Sequence, residues 1–384
     1  MKDTIKNTLI ARRARGVQAA PGSSGAIAEK AVAISAASLS GLVSRTQGWF
    51  RKHQRDLPWR HSYDPYRVWV SEVMLQQTRM EVVLTYYGRF LERFPSIERL
   101  AAASADDVTA AWSGLGYYRR ARMLREGARA VRERFEGSLP RDVESLQSIA
   151  GIGRYTAGAI ASIAFQQCAP IVDGNVARIL SRLFAIDEAV GSPALMRTVW
   201  IHSERLVGLA SSPRDFNQGL MEIGALICKP SRPDCGRCPL RADCLAFQTN
   251  RTAELPAPKP KAKTRDLRVP LYLVLDKRGR VLMRRERGPL MGDLFHLPHG
   301  DESLLTGSPL AITSAEMIGA FRHTITNRKV TFELFAAILP RKPRASEYIW
   351  IDPATLGDVP HSAYVQKALR LAGIVASSEA LPPA

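Results

Sequence analysis

Three things are scarce in this chain, and each scarcity excludes something. No uninterrupted apolar run approaches the roughly 20 residues that cross a bilayer, so no membrane partner is expected. Cysteine occurs only five times in 384 residues, and four of the five fall between positions 228 and 244. That distribution argues against a secreted disulfide framework and for metal ligation in a reducing compartment. Acidic residues are also short: 36 Asp and Glu face 54 Lys and Arg, leaving a formal charge of +18. The basic residues recur along the chain rather than in one tail, which favours a polyanion held over a broad surface. No tandem repeat is present.

The length suits two domains with large cores. Residues 1–40, rich in Ala, Ser, Gly and Arg, read as a flexible N-terminal extension, with a composition that also suits an organelle transit peptide. From 41 to 227, apolar residues at three- and four-residue spacing with stops at Gly and Pro predict an all-α domain, with helices over 68–78, 106–112 and 176–184. Residues 228–248 form a cysteine loop and 249–267 a stiff, solvated Pro/Lys linker. Beyond it the period changes to two. Residues 271–275, a turn at 276–279 and 281–283 predict a β-hairpin, and 330–335 a further strand. The second domain, 268–374, is therefore α+β, and 375–384 is a tail.

Three signals carry chemistry. Cys228, Cys235, Cys238 and Cys244, separated by six, two and five residues, supply four thiolates for either tetrahedral zinc or a 4Fe–4S cluster; spacing leaves both open. Lys229, Arg232, Arg237 and Arg241 turn that loop into a cationic prong for a phosphate backbone. The fifth cysteine, Cys168, reads as a small core residue. The second signal is Gly151-Ile152-Gly153 between two helical stretches, where glycines bring backbone N–H groups toward an anion. About 20 residues later Asp173 ends an apolar stretch and precedes a helix, a position that a helix cap alone would explain. The third is Glu72, which interrupts a nearly all-apolar helical stretch. Its carboxyl lies either on a narrow polar face or buried with a raised pKa, and the latter supplies a general acid near neutral pH.

Together these residues resemble the adenine DNA glycosylases of the MutY family, within the helix-hairpin-helix glycosylases. The resemblance runs through Leu57-Pro58-Trp59-Arg60, the segment 70–78, Gly114-Leu115-Gly116-Tyr117-Tyr118, the segment 151–157, Val172-Asp173-Gly174-Asn175-Val176 and the four cysteines. It implies a 4Fe–4S cluster on the cysteines, and an enzyme that excises adenine mispaired with 8-oxoguanine or guanine in duplex DNA. A monomer is expected, in a bacterial cytoplasm with the nucleoid. Endonuclease III, the oxidised-pyrimidine glycosylase and lyase, is the alternative; it carries a nucleophilic lysine where this chain has Tyr155. A non-catalytic DNA-binding or cluster-sensing protein is a further alternative.

The resemblance also assigns roles. Glu72 is to protonate N7 of adenine and Asp173 to stabilise the sugar cation, with the pKa of Glu72 raised and that of Asp173 lowered. Tyr155, Asn175 and Arg60 are to position or polarise these groups. Gln77, Thr78, Leu115 and Tyr117 correspond to DNA contacts beside the extruded base, and Gly151 and Gly153 to a phosphate grip. The C-terminal domain resembles a nudix-like module that reads the lesion. The stretch 290–298 stands where the family has Gly-Leu-Trp-Glu-Phe-Pro, altered at several positions, and the glutamate-rich hydrolase box is absent. Phe321, Arg322 and His323 stand where relatives place Phe-Ser-His, so an arginine replaces the serine that meets 8-oxoguanine.

Overall fold

Most helices between Ala36 and Gln248 start by one device: a short polar side chain accepts a hydrogen bond from the backbone N–H three residues on. Asp64, Ser96, Ser104, Asp142, Asp173, Ser192 and Ser212 all do this, with proline in the first turn after Asp64, Ser192 and Ser212. The computed structural model describes residues 36–258, 264–286, 292–299, 312, 314–339 and 348–375. Its helices are α1 (Ala36–His53), α2 (Pro65–Leu75), α3 (Met80–Arg93), α4 (Ile97–Ala102), α5 (Ala105–Ala111), α6 (Arg119–Arg134), α7 (Val143–Gln147), α8 (Arg154–Ala159), α9 (Gly174–Leu183), α10 (Pro193–Val207), α11 (Pro213–Leu226) and α12 (Leu245–Gln248). A π-helical turn, Ile160–Ala164, extends α8.

Two large apolar clusters, with two small ones beside them, build this helical part. One gathers α2 to α8 around Trp69, Phe90 and Trp112; the other gathers α1, α9, α10 and α11 around Leu42, Leu180, Phe216 and Leu220. Helix α1 thus closes on α11, far away in sequence. Helix α2 stops at Leu75, short of the predicted residue 78: Gln76 leaves the helical region with ψ 114° and Gln77 then takes a left-handed backbone with φ +55°.

The C-terminal part holds strands β1 (Arg265–Leu273), β2 (Val281–Arg285), β3 (Phe295–His296), β4 (Ser314–Ile325), β5 (Arg328–Ile338), β6 (Tyr348–Ile351) and a helix, α13 (Ala363–Leu371). They form two three-stranded sheets, ordered β1-β5-β4 and β3-β2-β6. The expected hairpin survives only as its turn. Leu275 bridges Val281, after which β1 pairs in parallel with β5 over nine residues while β2 joins the other sheet. The longer ladder wins because it places Val269, Leu271, Phe332 and Leu334 in one core with Val281, Met283 and Tyr364.

Other expectations shift as well. Residues 36–40 belong to α1, with Leu39 buried, rather than to the extension; 1–35 lie outside the described residues. The first part of the linker is packed, not solvated. Leu255 is buried, its carbonyl accepts from Arg182 Nε at 2.8 Å, and Ala257 accepts from the Val190 N–H at 2.8 Å; 259–263 lie outside the described residues. Cys168 is exposed in the loop after the π turn, not in the core. Of the tail only residue 375 is described.

Candidate active site

The two helical clusters leave a cavity of about 630 Å³ between them, lined by α2, α8, the start of α9 and α11. Helix α2 is buried on nearly every side, so a carboxyl on it meets protein or the cavity, not bulk water. Glu72 is 4% exposed, and Tyr155, in the first turn of α8, donates from Oη to its Oε2 at 2.6 Å. Burial pushes the Glu72 carboxyl up to about 7; the tyrosine hydrogen bond pulls it down, the Asp173 charge lifts it, and Arg60 lowers it. Burial also lifts the Tyr155 hydroxyl well above its ordinary value, so it stays a donor.

Asp173 stands at the N-terminus of α9. Its Oδ1 accepts from the Val176 N–H at 2.7 Å and its Oδ2 from Asn175 Nδ2 at 3.0 Å. The expected lowering of its pKa is not found: burial raises it, as it raises that of Glu72. The two carboxyls differ instead in what meets the charge. Two amide donors and the nearby Arg178 pull Asp173 back toward the anion, whereas Glu72 has one hydroxyl donor and an acid beside it.

Arg60 lines the same cavity but hydrogen-bonds neither carboxyl. Its guanidinium is spent on Gln218 Oε1 (3.0 Å), the Arg55 carbonyl (3.0 Å) and Glu222 Oε2 (2.9 Å). Glu222, on α11, also takes Arg55 at 2.7 and 3.0 Å. Burial pushes Glu222 up, yet the hydrogen bonds and charges of the two arginines outweigh it and hold the carboxyl at about 2. Sequence reasoning missed Glu222, although it interrupts an apolar helical stretch just as Glu72 does. It missed Arg178 too, which donates to Asn175 Oδ1 (2.8 Å), the Gly224 carbonyl (2.8 Å) and the Cys228 carbonyl (2.7 Å), tying the Asp173 cap to the cysteine loop. Gly224 permits that approach, since a Cβ there would meet Asn175 Cβ at 2.6 Å.

Gln77, which lines the cavity, and Tyr117, on the neighbouring 114–117 turn, are both exposed with left-handed backbones. Between them lies Arg120, also unforeseen. Its guanidinium donates to the carbonyls of Val73, Met74, Gln76, Leu115 and Gly116 and to Thr78 Oγ1, and it sits against the rings of Trp112 and Tyr117. Thr78 is therefore bound inward, and Leu115 is packed in the core at 5% exposure. Gly151 has φ +81°, and a Cβ there would meet Met123 Cβ at 2.7 Å; Gly153 faces open space.

The four cysteines line one pocket with Arg182, which donates to Cys228 Sγ at 3.3 Å. Lys229, Arg232, Arg237 and Arg241 are all exposed around it. In the C-terminal part, Phe321, Arg322 and His323 lie on β4, and strand alternation separates them. Phe321 stacks at a tilt on Phe332 with ring centroids 5.4 Å apart, His323 lies 6.1 Å from the Tyr364 ring, and Arg322 alone is exposed. Burial, with Lys367 nearby, holds His323 down at about 4, hence neutral.

Comparison with known proteins gives the following. Residues 70–201 match the HhH-GPD superfamily of base excision DNA repair proteins. An adenine DNA glycosylase of Buchnera aphidicola from Acyrthosiphon pisum is 32% identical over 307 residues, covering 78% of this chain and 86% of that protein. The mouse adenine DNA glycosylase is 45% identical over 230 residues, 58% of this chain and 44% of that protein; the human one is 47% identical over 209 residues, 52% and 38%. The chain thus spans less than half the length of these mammalian relatives. A solved thermostable thymine-DNA glycosylase is 28% identical, with TM-score 0.50, covering 56% of this chain and all of that one. Relatives from mammals and a plant stand beside bacterial ones, so they lend no support to the expected bacterial nucleoid. No helix among the described residues is long and apolar enough to cross a membrane.

Proposed function

We propose that this chain, which belongs to the adenine DNA glycosylase family, hydrolyses the N-glycosidic bond of adenine mispaired with 8-oxoguanine or guanine in duplex DNA, the first step of base excision repair. The observation that carries the reading is Glu72: a buried carboxyl held near pKa 7 by its surroundings, in one cavity with a hydrogen-bonded Asp173.

Adenine leaves poorly as an anion, so the reaction needs a proton on the base before the bond breaks. Glu72 holds that proton at neutral pH, aimed by Tyr155, and gives it to N7 of the extruded adenine. The sugar becomes cationic as the base departs. Asp173, its carboxylate fixed by Val176 N–H and Asn175, stabilises that charge until water adds to the anomeric carbon. Arg178 and the Arg55–Glu222–Arg60 group hold the two walls in register rather than touching the reacting atoms.

None of the described residues lining the cavity is a lysine, and Tyr155 offers no amine. Schiff-base lyase chemistry of the endonuclease III type therefore has no nucleophile here. The exposed Gln77 and Tyr117 reach the space beside the extruded base, Gly151 and Gly153 take a phosphate through backbone N–H groups, and the +18 charge supplies sequence-independent affinity.

Cys228, Cys235, Cys238 and Cys244 suit a 4Fe–4S cluster. All four line one pocket, and four thiolates are the donor set that such a cluster takes. Bound there, the cluster supplies metal–sulfur bonds that order the basic loop. The C-terminal sheets act as a nudix-like reader of the lesion, with Arg322 as the side chain offered to the base opposite adenine.

The test is adenine release from duplexes carrying it opposite 8-oxoguanine, guanine, cytosine and thymine, with borohydride trapping in parallel. Free adenine from the first two, without a covalent adduct, is the expected result. A trapped adduct, or duplex binding without base release, overturns the reading.

A further inference from the structure

We propose that Glu286, His296 and His299 form a binding site for one divalent transition-metal ion, with zinc as the best match, inside the C-terminal part of the chain. All three are buried, at 1%, 2% and 0% exposure, and one ligand atom from each lies within 4.8 Å of the other two. Two imidazoles and a carboxylate are a donor set that zinc favours over magnesium or calcium.

One pair of these atoms already has the separation of two ligands on one ion. His296 Nδ1 lies 2.9 Å from the Leu297 carbonyl, to which it can only donate, so in the neutral ring Nε2 carries the lone pair. That nitrogen faces Glu286 Oε2 at 3.3 Å. Two electron-rich atoms at that separation share a positive charge, which either a metal ion or a proton on Nε2 supplies. Tetrahedral zinc, with bonds near 2.0–2.1 Å, separates its ligand atoms by about 3.3 Å. The Nδ1–H to backbone carbonyl bond is also the usual outer support of a ligating histidine. The His299 ring packs beside the His296 ring with centroids 5.1 Å apart.

The three residues come from segments that a metal would rivet together. Glu286 follows β2 and exchanges backbone hydrogen bonds with Leu294 and Asp293; His296 is on β3, paired with Arg284. His299 bridges Leu271 of β1, in the other sheet. The ion therefore sits where the chain crosses between the two sheets. The same crossing docks on the helical part: Arg122 donates to the Gly292 carbonyl at 2.9 Å and to Asp293 Oδ2 at 2.8 Å, and Arg285 pairs with Asp106 at 2.8 Å.

The experiment counts zinc and iron per chain in the full-length protein, as isolated and after incubation with micromolar zinc. The expected result is one zinc per chain, lost in the double variant His296→Gln/His299→Gln with iron unchanged, and bound at least about tenfold more weakly in Glu286→Gln. Chelation that removes zinc and spares iron should lower the melting temperature of wild type and leave the double variant unmoved. Absence of zinc uptake overturns the proposal. So does zinc that persists in the double variant, or that rises only as iron falls, which would place it on the cysteines; the trio is then a buried carboxylate–histidine pair with a second ring packed against it.

Discussion

Tyr155 donates its hydroxyl proton to Glu72 Oε2 at 2.6 Å, yet burial still leaves the Glu72 carboxyl near 7. A general acid works while protonated, so excision should be flat below about pH 7 and fall about tenfold per unit above it. Tyr155→Phe removes a bond that favours the carboxylate, so its alkaline limb should move to higher pH. Single-turnover adenine release across pH 5.5–9 measures both limbs. Glu72→Gln should bind the mismatched duplex, lose about 10²–10⁴ in excision rate and show no alkaline limb.

The same group predicts a stability effect of definite sign. A carboxyl raised from 4.5 to about 7 on folding favours the native state below pH 4.5 and withdraws that support as pH rises through 7. At pH 8 the native protein therefore carries a buried charge worth roughly 3 kcal/mol or less. Glu72→Gln should melt higher than wild type at pH 8, and the gap should close toward pH 5. Equal melting temperatures at pH 8 would mean the acid is not buried as described.

Asp173→Asn separates a helix cap from a charge. Asparagine caps as well as aspartate, so α9 should persist and stability should change by less than about 1 kcal/mol. The carboxylate, though, is gone from beside the developing sugar cation, and excision should fall by about 10²-fold or more. Parallel circular dichroism melts and single-turnover kinetics make the comparison. A large loss of stability with proportionate loss of activity would return Asp173 to a structural role alone.

How much of this was legible depended on whether a residue broke a local pattern. Glu72 stood out as a charge in an apolar helix, and Asp173 as an acid between an apolar stretch and a helix. The helical region followed from its period and its Gly and Pro stops. Glu222 gave the same signal as Glu72 and was passed over, since nothing nearby paired it with Arg55 and Arg60, more than 160 positions away. Arg120 and Arg178 broke no pattern: among 54 basic residues, what sets them apart is the carbonyls they meet. The split of β1 and β2 into separate sheets was equally hidden, because the alternation of 271–283 is satisfied by a hairpin or by strands of two different sheets. Only the parallel partner β5 decides between them.

Glu222 should act on stability more than on chemistry. Its charge is buried and answered by Arg55 and Arg60, and its folded pKa of about 2 lies below the ordinary 4.5. The support it lends is present above pH 4.5 and is lost as pH falls from 4.5 through 2. Glu222→Ala strands Arg60, whose side chain is 9% exposed, and should cost about 3–5 kcal/mol. Glu222→Gln keeps the hydrogen bonds and should cost less. Urea denaturation at pH 7 and pH 4 gives both numbers; the cost of Glu222→Ala should shrink at the lower pH.

Arg120 joins the two exposed tips, Gln77 and Tyr117, through five carbonyls and the Thr78 hydroxyl. Those carbonyls cluster around the end of α2 and the 114–117 turn; Gly116 also accepts from Trp112 Nε1 at 3.2 Å, but the last-turn carbonyls of α2 have no further helical N–H to meet. Removing the guanidinium leaves them facing a void, so Arg120→Ala should cost about 2–4 kcal/mol. Arg120→Lys keeps the charge, but one ammonium cannot span both segments, and its effect should fall between. Amide exchange should accelerate at 76–78 and 114–117 while α9 stays protected, and excision should fall more than duplex affinity because the tips no longer hold the extruded geometry. Wild-type excision with exchange unchanged at both segments would show that the tips are ordered without Arg120.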